Sequence, residues 1–141
     1  MITAGGVSMI EVYIDGASAG NPGPSGAGIF INNNGDVHRH SIPLGSLENH
    51  EAEYQALIHG LKICLRHEYK VVSFRTDSQL ISQAVEKEFV KNKRYSPLLS
   101  EALELAEQFD LFFLKWIPSS ENKAADQLAR RAIRLNEGNE E

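Results

Sequence analysis

Ile10-Glu11-Val12-Tyr13-Ile14-Asp15-Gly16 opens the stretch that decides the fold. Ile10, Val12 and Ile14 alternate with Glu11 and Tyr13, the period of a half-buried strand that ends at Asp15-Gly16. Gly20-Asn21-Pro22-Gly23-Pro24-Ser25-Gly26 follows, the strongest turn signal in the chain. Ala27 to Ile31 then reads as a second strand. Asn32-Asn33-Asn34-Gly35-Asp36 closes a hairpin, because Asn34-Gly35 suits the positive backbone dihedrals of a tight turn. Val37 to Leu44 reads as a third strand. Short connections between three such strands predict an antiparallel meander.

Working outward, the next segment turns helical. Asn49 is placed to cap it, with Glu51 and Glu53 in the first turn. Ala52, Ala56, Leu57, Leu61, Cys64 and Leu65 form its apolar stripe. Val71 to Phe74 is a short β-branched strand ending at Thr76-Asp77. Ser78 caps a second helix carrying Leu80, Ile81, Ala84 and Val85. Lys91-Asn92-Lys93-Arg94-Tyr95 is a basic connection, and Pro97 suits the first turn of a third helix. Leu111 to Ile117 is a fifth strand, with Trp116 assigned to the core. Pro118-Ser119-Ser120-Glu121 is a loop before a last helix bearing Ala125, Leu128, Ala129, Ala132 and Ile133. The order βββαβααβα predicts an α/β protein: one mixed sheet with helices on its faces. The first strand lies centrally, where antiparallel pairing gives way to parallel, and crossovers are right-handed.

The chain has 141 residues, 42% apolar and 23% charged, which suits one globular domain with a real core. We expect residues 1–8 to be an N-terminal extension, 9–135 the folded domain, and 136–141 an acidic flexible tail. No stretch approaches the roughly 18 apolar residues that cross a bilayer. The first eight residues carry no Lys or Arg and do not make a signal peptide. These features predict a cytoplasmic protein with no membrane partner. The single cysteine, Cys64, excludes an internal disulfide and reads as a small buried hydrophobe. The net charge of −5 alone argues against a nucleic-acid partner, although the distribution of charge matters more than its sum.

Four acids fall where such a sheet would bring them together. Asp15 ends the first strand and Asp77 follows the fourth, its expected parallel neighbour. Glu53 shares a helix face with Leu57 and Gly60, turned toward the sheet. Asp126 opens the last helix. Taken singly, each has a plain structural role: turn former, helix-dipole partner or cap. Together, four uncompensated carboxylates repel, and a fold keeps them when cations supply the missing charge. Oxygen-only donors suit Mg²⁺ or Mn²⁺. Two such ions about 3.5–4 Å apart serve phosphodiester hydrolysis.

At this point the residues match a known pattern. Tyr13-Ile14-Asp15-Gly16-Ala17-Ser18-Ala19-Gly20-Asn21-Pro22-Gly23-Pro24 resembles the opening motif of type 1 ribonucleases H. Asn49-His50-Glu51-Ala52-Glu53-Tyr54-Gln55-Ala56-Leu57 resembles their first-helix motif, and Thr76-Asp77-Ser78-Gln79-Leu80 their third. Asn122-Lys123-Ala124-Ala125-Asp126-Gln127-Leu128-Ala129 resembles their last. The four occur in family order over roughly residues 9 to 135. The resemblance implies a ribonuclease H-like fold, five strands in the order 3-2-1-4-5 with helices on both faces. It implies an endonuclease that cuts the RNA strand of RNA/DNA hybrids and leaves 5′-phosphates, with two Mg²⁺ or Mn²⁺ ions held by Asp15, Glu53, Asp77 and Asp126. It places Asn21, Asn49 and Gln79 at the hybrid's minor groove, where amides read base edges and 2′-hydroxyls. Ser18 and Ser78 are candidates to bond phosphate, and Gly16 to let substrate approach the backbone.

Two departures stand out. Many members carry a His in the loop before the last helix; here it reads Ser119-Ser120-Glu121, and His38, His40, His50, His59 and His67 lie elsewhere, with His50 expected at the surface. Some relatives have a long basic handle; here Lys87, Lys91, Lys93, Arg94 and Tyr95 remain, which makes this a handle-less, bacterial or archaeal type. Lys91, Lys93 and Arg94 read either as a solvated charge run or as a weak phosphate patch. We expect a monomer with no obligate protein partner. The alternative is a nucleic-acid-binding module of the same fold that cuts weakly or not at all.

Overall fold

The computed structural model describes residues 3–4 and 7–136. Its main sheet has five strands: β1 (Ile10–Ser18), β2 (Gly23–Asn33), β3 (Asp36–Leu47), β4 (Val71–Thr76) and β5 (Leu111–Trp116). Four helices accompany them: α1 (Asn49–Arg66), α2 (Gln79–Lys87), α3 (Ser96–Ala106) and α4 (Lys123–Asn136). The strand order is β3-β2-β1-β4-β5. β1 pairs antiparallel with β2 and parallel with β4, so it is the switch point between the two pairing modes. The expected α/β architecture and strand order are therefore present.

Alternation on β1 sorts the two layers. Ile10, Val12 and Ile14 are buried beneath α1, where a Cβ on Gly60 would lie 3.3 Å from Ile14 Cγ2. Residues of the opposite parity, Asp15 among them, face the side covered by α4. That helix lies against β2 through glycines: a Cβ on Gly26 would meet Ala132 Cβ at 2.5 Å, and one on Gly28 would meet the Ala125 carbonyl oxygen at 2.1 Å. Beneath α1, Tyr54, Leu57, Leu61 and Phe74 complete the core.

The strands are longer than periodicity predicts. β1 continues through Asp15 to Ser18, because Gly16, Ala17 and Ser18 pair with Ala27, Gly26 and Ser25. Those small residues read as a loop, but partner strands override weak strand propensity. The hairpin turn at Asn34-Gly35 is as expected, with φ of 56° and 93°. The cap of α1 is Glu48 rather than Asn49. Glu48 and Glu51 form a reciprocal capping box that leaves the Asn49 side chain uninvolved.

Trp116 is not a core residue. It is 43% exposed, and Leu111 and Phe113 on the same strand are each 46% exposed. Among the described residues β5 pairs only with β4, so it forms one edge of the sheet. Of the expected extension, Thr3–Ala4 pairs antiparallel with Val7–Ser8, apart from the main sheet. Asn136 is the last residue of α4, and the rest of the expected tail lies outside the described residues. No described helix is long and apolar enough to cross a membrane.

Candidate active site

The register of β1 and β4 runs from Ile10↔Val72 to Ile14↔Thr76. The next residue on each strand is an aspartate, so Asp15 and Asp77 emerge side by side at the carboxyl ends of parallel strands. On its other side Asp15 pairs with Gly28, the residue on which the Ala125 carbonyl rests. That approach brings the first turn of α4, and hence Asp126, next to Asp15. Gly16 does the same for α1: a Cβ there would lie 2.1 Å from the Ala52 carbonyl oxygen and 2.6 Å from the Glu53 nitrogen. Two glycines, Gly16 on β1 and Gly28 on β2, thus let two helices descend onto the sheet beside Asp15.

Asn122 secures the arrangement. It is buried, its amide donates to the Ile14 carbonyl at 2.9 Å, and its own carbonyl accepts from the Asp126 amide at 3.1 Å. The residue before Asp15 is thereby tied to the turn that presents Asp126. In the sequence Asn122 reads only as part of a motif before a helix; its partner lies 108 residues away and leaves no local signal.

Hydrogen bonds orient the carboxylates. Glu53 Oε1 accepts from Ser78 Oγ at 3.0 Å and meets His50 Nδ1 at 3.1 Å. Ser78 Oγ in turn accepts from the Ile81 amide at 3.2 Å, which caps α2. Asp126 Oδ2 accepts from Arg130 Nε at 2.9 Å. The Trp116 indole donates to the Asp77 carbonyl at 3.1 Å. Asp15 is the electrostatic centre. Burial first pushes its carboxyl up to about 8; the charges of Asp77 and Asp126, a hydrogen bond to Asp126, and the charge of Glu53 add to it.

This donor set suits a hard divalent cation. Every donor is a carboxylate oxygen, and the central acid is held from ionising by burial and by its neighbours, a penalty that a cation among them removes. Among the described residues no three His, Cys, Asp or Glu side chains already stand at joint ligating spacing. Asp15 nonetheless shares a hydrogen bond with Asp126 and feels the charges of Asp77 and Glu53, so the four carboxylates are mutual neighbours.

The other candidates divide. Asn21, Asn49 and Gln79 are exposed, and Asn21 Oδ1 accepts from the Asn49 amide at 2.8 Å, so two of them form one rim. Gln79 lines a cavity of about 620 Å³ with His50, Lys87, Phe89, Lys91 and Tyr95. His50 is exposed, as expected, yet it touches Glu53. Gly16 offers no open backbone, because Ala52 fills the space beside it. Ser18 Oγ lies within hydrogen-bonding reach of the Leu47 carbonyl, at 2.9 Å, and of the Gly20 carbonyl, and its single O–H closes the loop rather than reaching outward. Ser78 is buried and turned to Glu53. Of the basic patch, Lys91 and Lys93 are exposed. Arg94 donates to Glu48 Oε2 at 2.9 Å and lies 3.9 Å from Glu51 Oε1, so it braces the cap of α1.

Residues 13–132 match a protein family described as reverse transcriptase-like. The chain is 41% identical over 127 residues to the putative hydrolase EbsB of Enterococcus faecalis, covering 89% of this chain and 94% of that protein. It is 32% identical over 130 residues to ribonuclease HI of Halobacterium salinarum, covering 88% of this chain but 64% of that longer protein. Among solved structures, LC11-RNase H1 in complex with an RNA/DNA hybrid superposes with a TM-score of 0.80 at 30% identity, over 89% of this chain and 97% of that one.

Proposed function

The chain belongs to the reverse transcriptase-like family and, within it, to the type 1 ribonucleases H; from that premise we propose that it cuts the RNA strand of RNA/DNA hybrids, leaving 5′-phosphates. The observation that carries the proposal is the gathering of Asp15, Glu53, Asp77 and Asp126 around the end of β1. Two Mg²⁺ or Mn²⁺ ions bound there would supply an activated water and stabilise charge on the leaving oxygen.

The chain's own residues have separable tasks. The four carboxylates bind and fix the cations. Ser78 holds Glu53 in one rotamer, and Asn122 and Trp116 hold the backbone that carries Asp126 and Asp77. Asn21, Asn49 and Gln79, all exposed, would donate to and accept from minor-groove edges and 2′-hydroxyls, which separate RNA from DNA. Lys91 and Lys93 contribute weak phosphate contacts. The exposed turn Ser119–Glu121 contains no histidine, so release of the cut end relies on water and on the carboxylates, and turnover is slow.

The test uses labelled RNA/DNA hybrid, double-stranded RNA and double-stranded DNA with Mg²⁺, Mn²⁺ or chelator. Cleavage confined to RNA within the hybrid, and abolished by chelator, is the expected outcome. Asp77→Asn should lose at least a hundredfold in rate while keeping its melting temperature. Tight hybrid binding without cleavage by the unmodified protein would instead assign it as a binding module.

A further inference from the structure

The net charge of −5 conceals an uneven distribution. Four of the chain's 14 Lys and Arg lie in α4, which carries a single acid, Asp126. Lys123, Gln127, Arg130 and Arg134 follow one another at spacings of four, three and four, so they stand on one stripe, with Arg131 beside it. All five lie outside the buried set, whereas Ala125, Ala129 and Ala132 on the opposite side are buried against the sheet. The stripe is about 16 Å long at 1.5 Å per residue.

Several arginines elsewhere are engaged: Arg94 by Glu48 and Glu51, and Arg75 by Glu11. Within α4 the one ion pair among the described residues joins Arg130 to Asp126. Lys123, Arg131 and Arg134 have no such partner there. The helix dipole accounts for a cation at Arg134, in the last turn. It opposes one at Lys123, in the first turn, so intrahelical electrostatics do not explain the stripe. Its position does. Asp126 is in the first turn of the same helix, within about one turn of both Lys123 and Arg130. A phosphate chain entering the carboxylate site from this side meets the basic stripe next.

We propose that the outer face of α4, through Lys123, Arg131 and Arg134 with Gln127, is a docking track for the sugar–phosphate backbone of the duplex whose RNA strand reaches the four carboxylates. It rests on the hybrid-cleaving reading and adds a second basic surface to the few lysines near α2. The track binds by charge and is indifferent to base sequence.

The test measures hybrid binding by fluorescence anisotropy in Mg²⁺ across a salt series, on the Asp77→Asn protein so that substrate survives. Adding K123Q, R131Q and R134Q together should weaken binding at least tenfold. It should also make the slope of log affinity against log salt shallower by about 2–3, near 0.9 for each phosphate no longer neutralised. A control set with the same charge change, K62Q, R66Q and K70Q, lies on and just after α1, across the sheet from α4, and should bind like its parent. Circular dichroism confirms that each set folds. Equal weakening by both sets reduces the effect to net charge and overturns the track. Unaltered binding by the α4 set overturns it while leaving the hybrid-cleaving reading intact. A parent that binds no hybrid overturns both.

Discussion

Asp15 makes the acidic site legible as a stability cost. Its folded-state pKa of about 8 lies above its ordinary value of 3.8, so the folded protein holds a proton that the unfolded chain releases. Stability should be undiminished below about pH 4, fall as pH rises, and level off above about pH 8. In chelator, urea midpoints at pH 5 and pH 8.5 should show this decline, and Asp15→Asn should flatten it. Mg²⁺ should restore the unmodified protein at the higher pH. Trp116 tests a second residue. Trp116→Phe keeps an aromatic ring but removes the donor to the Asp77 carbonyl, with an expected loss of about 1 kcal/mol in chemical denaturation. Trp116 is also the chain's single tryptophan, so its emission should respond to Mg²⁺ in the unmodified protein and not in Asp77→Asn. Cys64 does no chemistry here: burial pushes its thiol up to about 12, consistent with a small buried hydrophobe.

Elements meet through glycines whose importance periodicity does not reveal. Gly28→Ala would set a methyl 2.1 Å from the Ala125 carbonyl oxygen and 2.5 Å from the Ala129 nitrogen, both backbone atoms of α4. The helix must move, at a cost of about 1–3 kcal/mol, and Asp126 moves with it. Loss of melting temperature together with loss of cleavage is the expected result; a stable, active Gly28→Ala protein would show that α4 need not sit so close. The sequence distinguishes elements by period and so reveals that α4 exists and which side it buries. It does not reveal how near the helix comes, because Gly26 and Gly28 read simply as poor strand formers. The start of α1 shows the same limit. Asn49 has the better capping chemistry, yet Glu48 caps the helix because Arg94, 46 residues onward, and Glu51 both engage it.

For the whole molecule, order along the chain was readable because each strand and helix has its own hydrophobic period. The central place of β1 followed from a meander leading into strand–helix units, and from that followed the convergence of Asp15 with Asp77. What stayed hidden was long-range pairing: Asn122 with Ile14, Trp116 with Asp77, and the capture of Arg94 by Glu48. The exposure of Trp116 was hidden too. LFFLKW has the composition of a buried strand, and only the end of the sheet, with no further described strand beyond it, leaves those side chains half open. That open edge has a practical consequence. A strand with unpaired amides and carbonyls along one side, flanked by Leu111 and Phe113, invites the extended segment of another copy, and Lys115 is the lone charge on the strand that discourages it. Crowded preparations will therefore cloud first through the end of β5 farthest from the carboxylates, so shelf life and chemistry are governed by opposite ends of one strand.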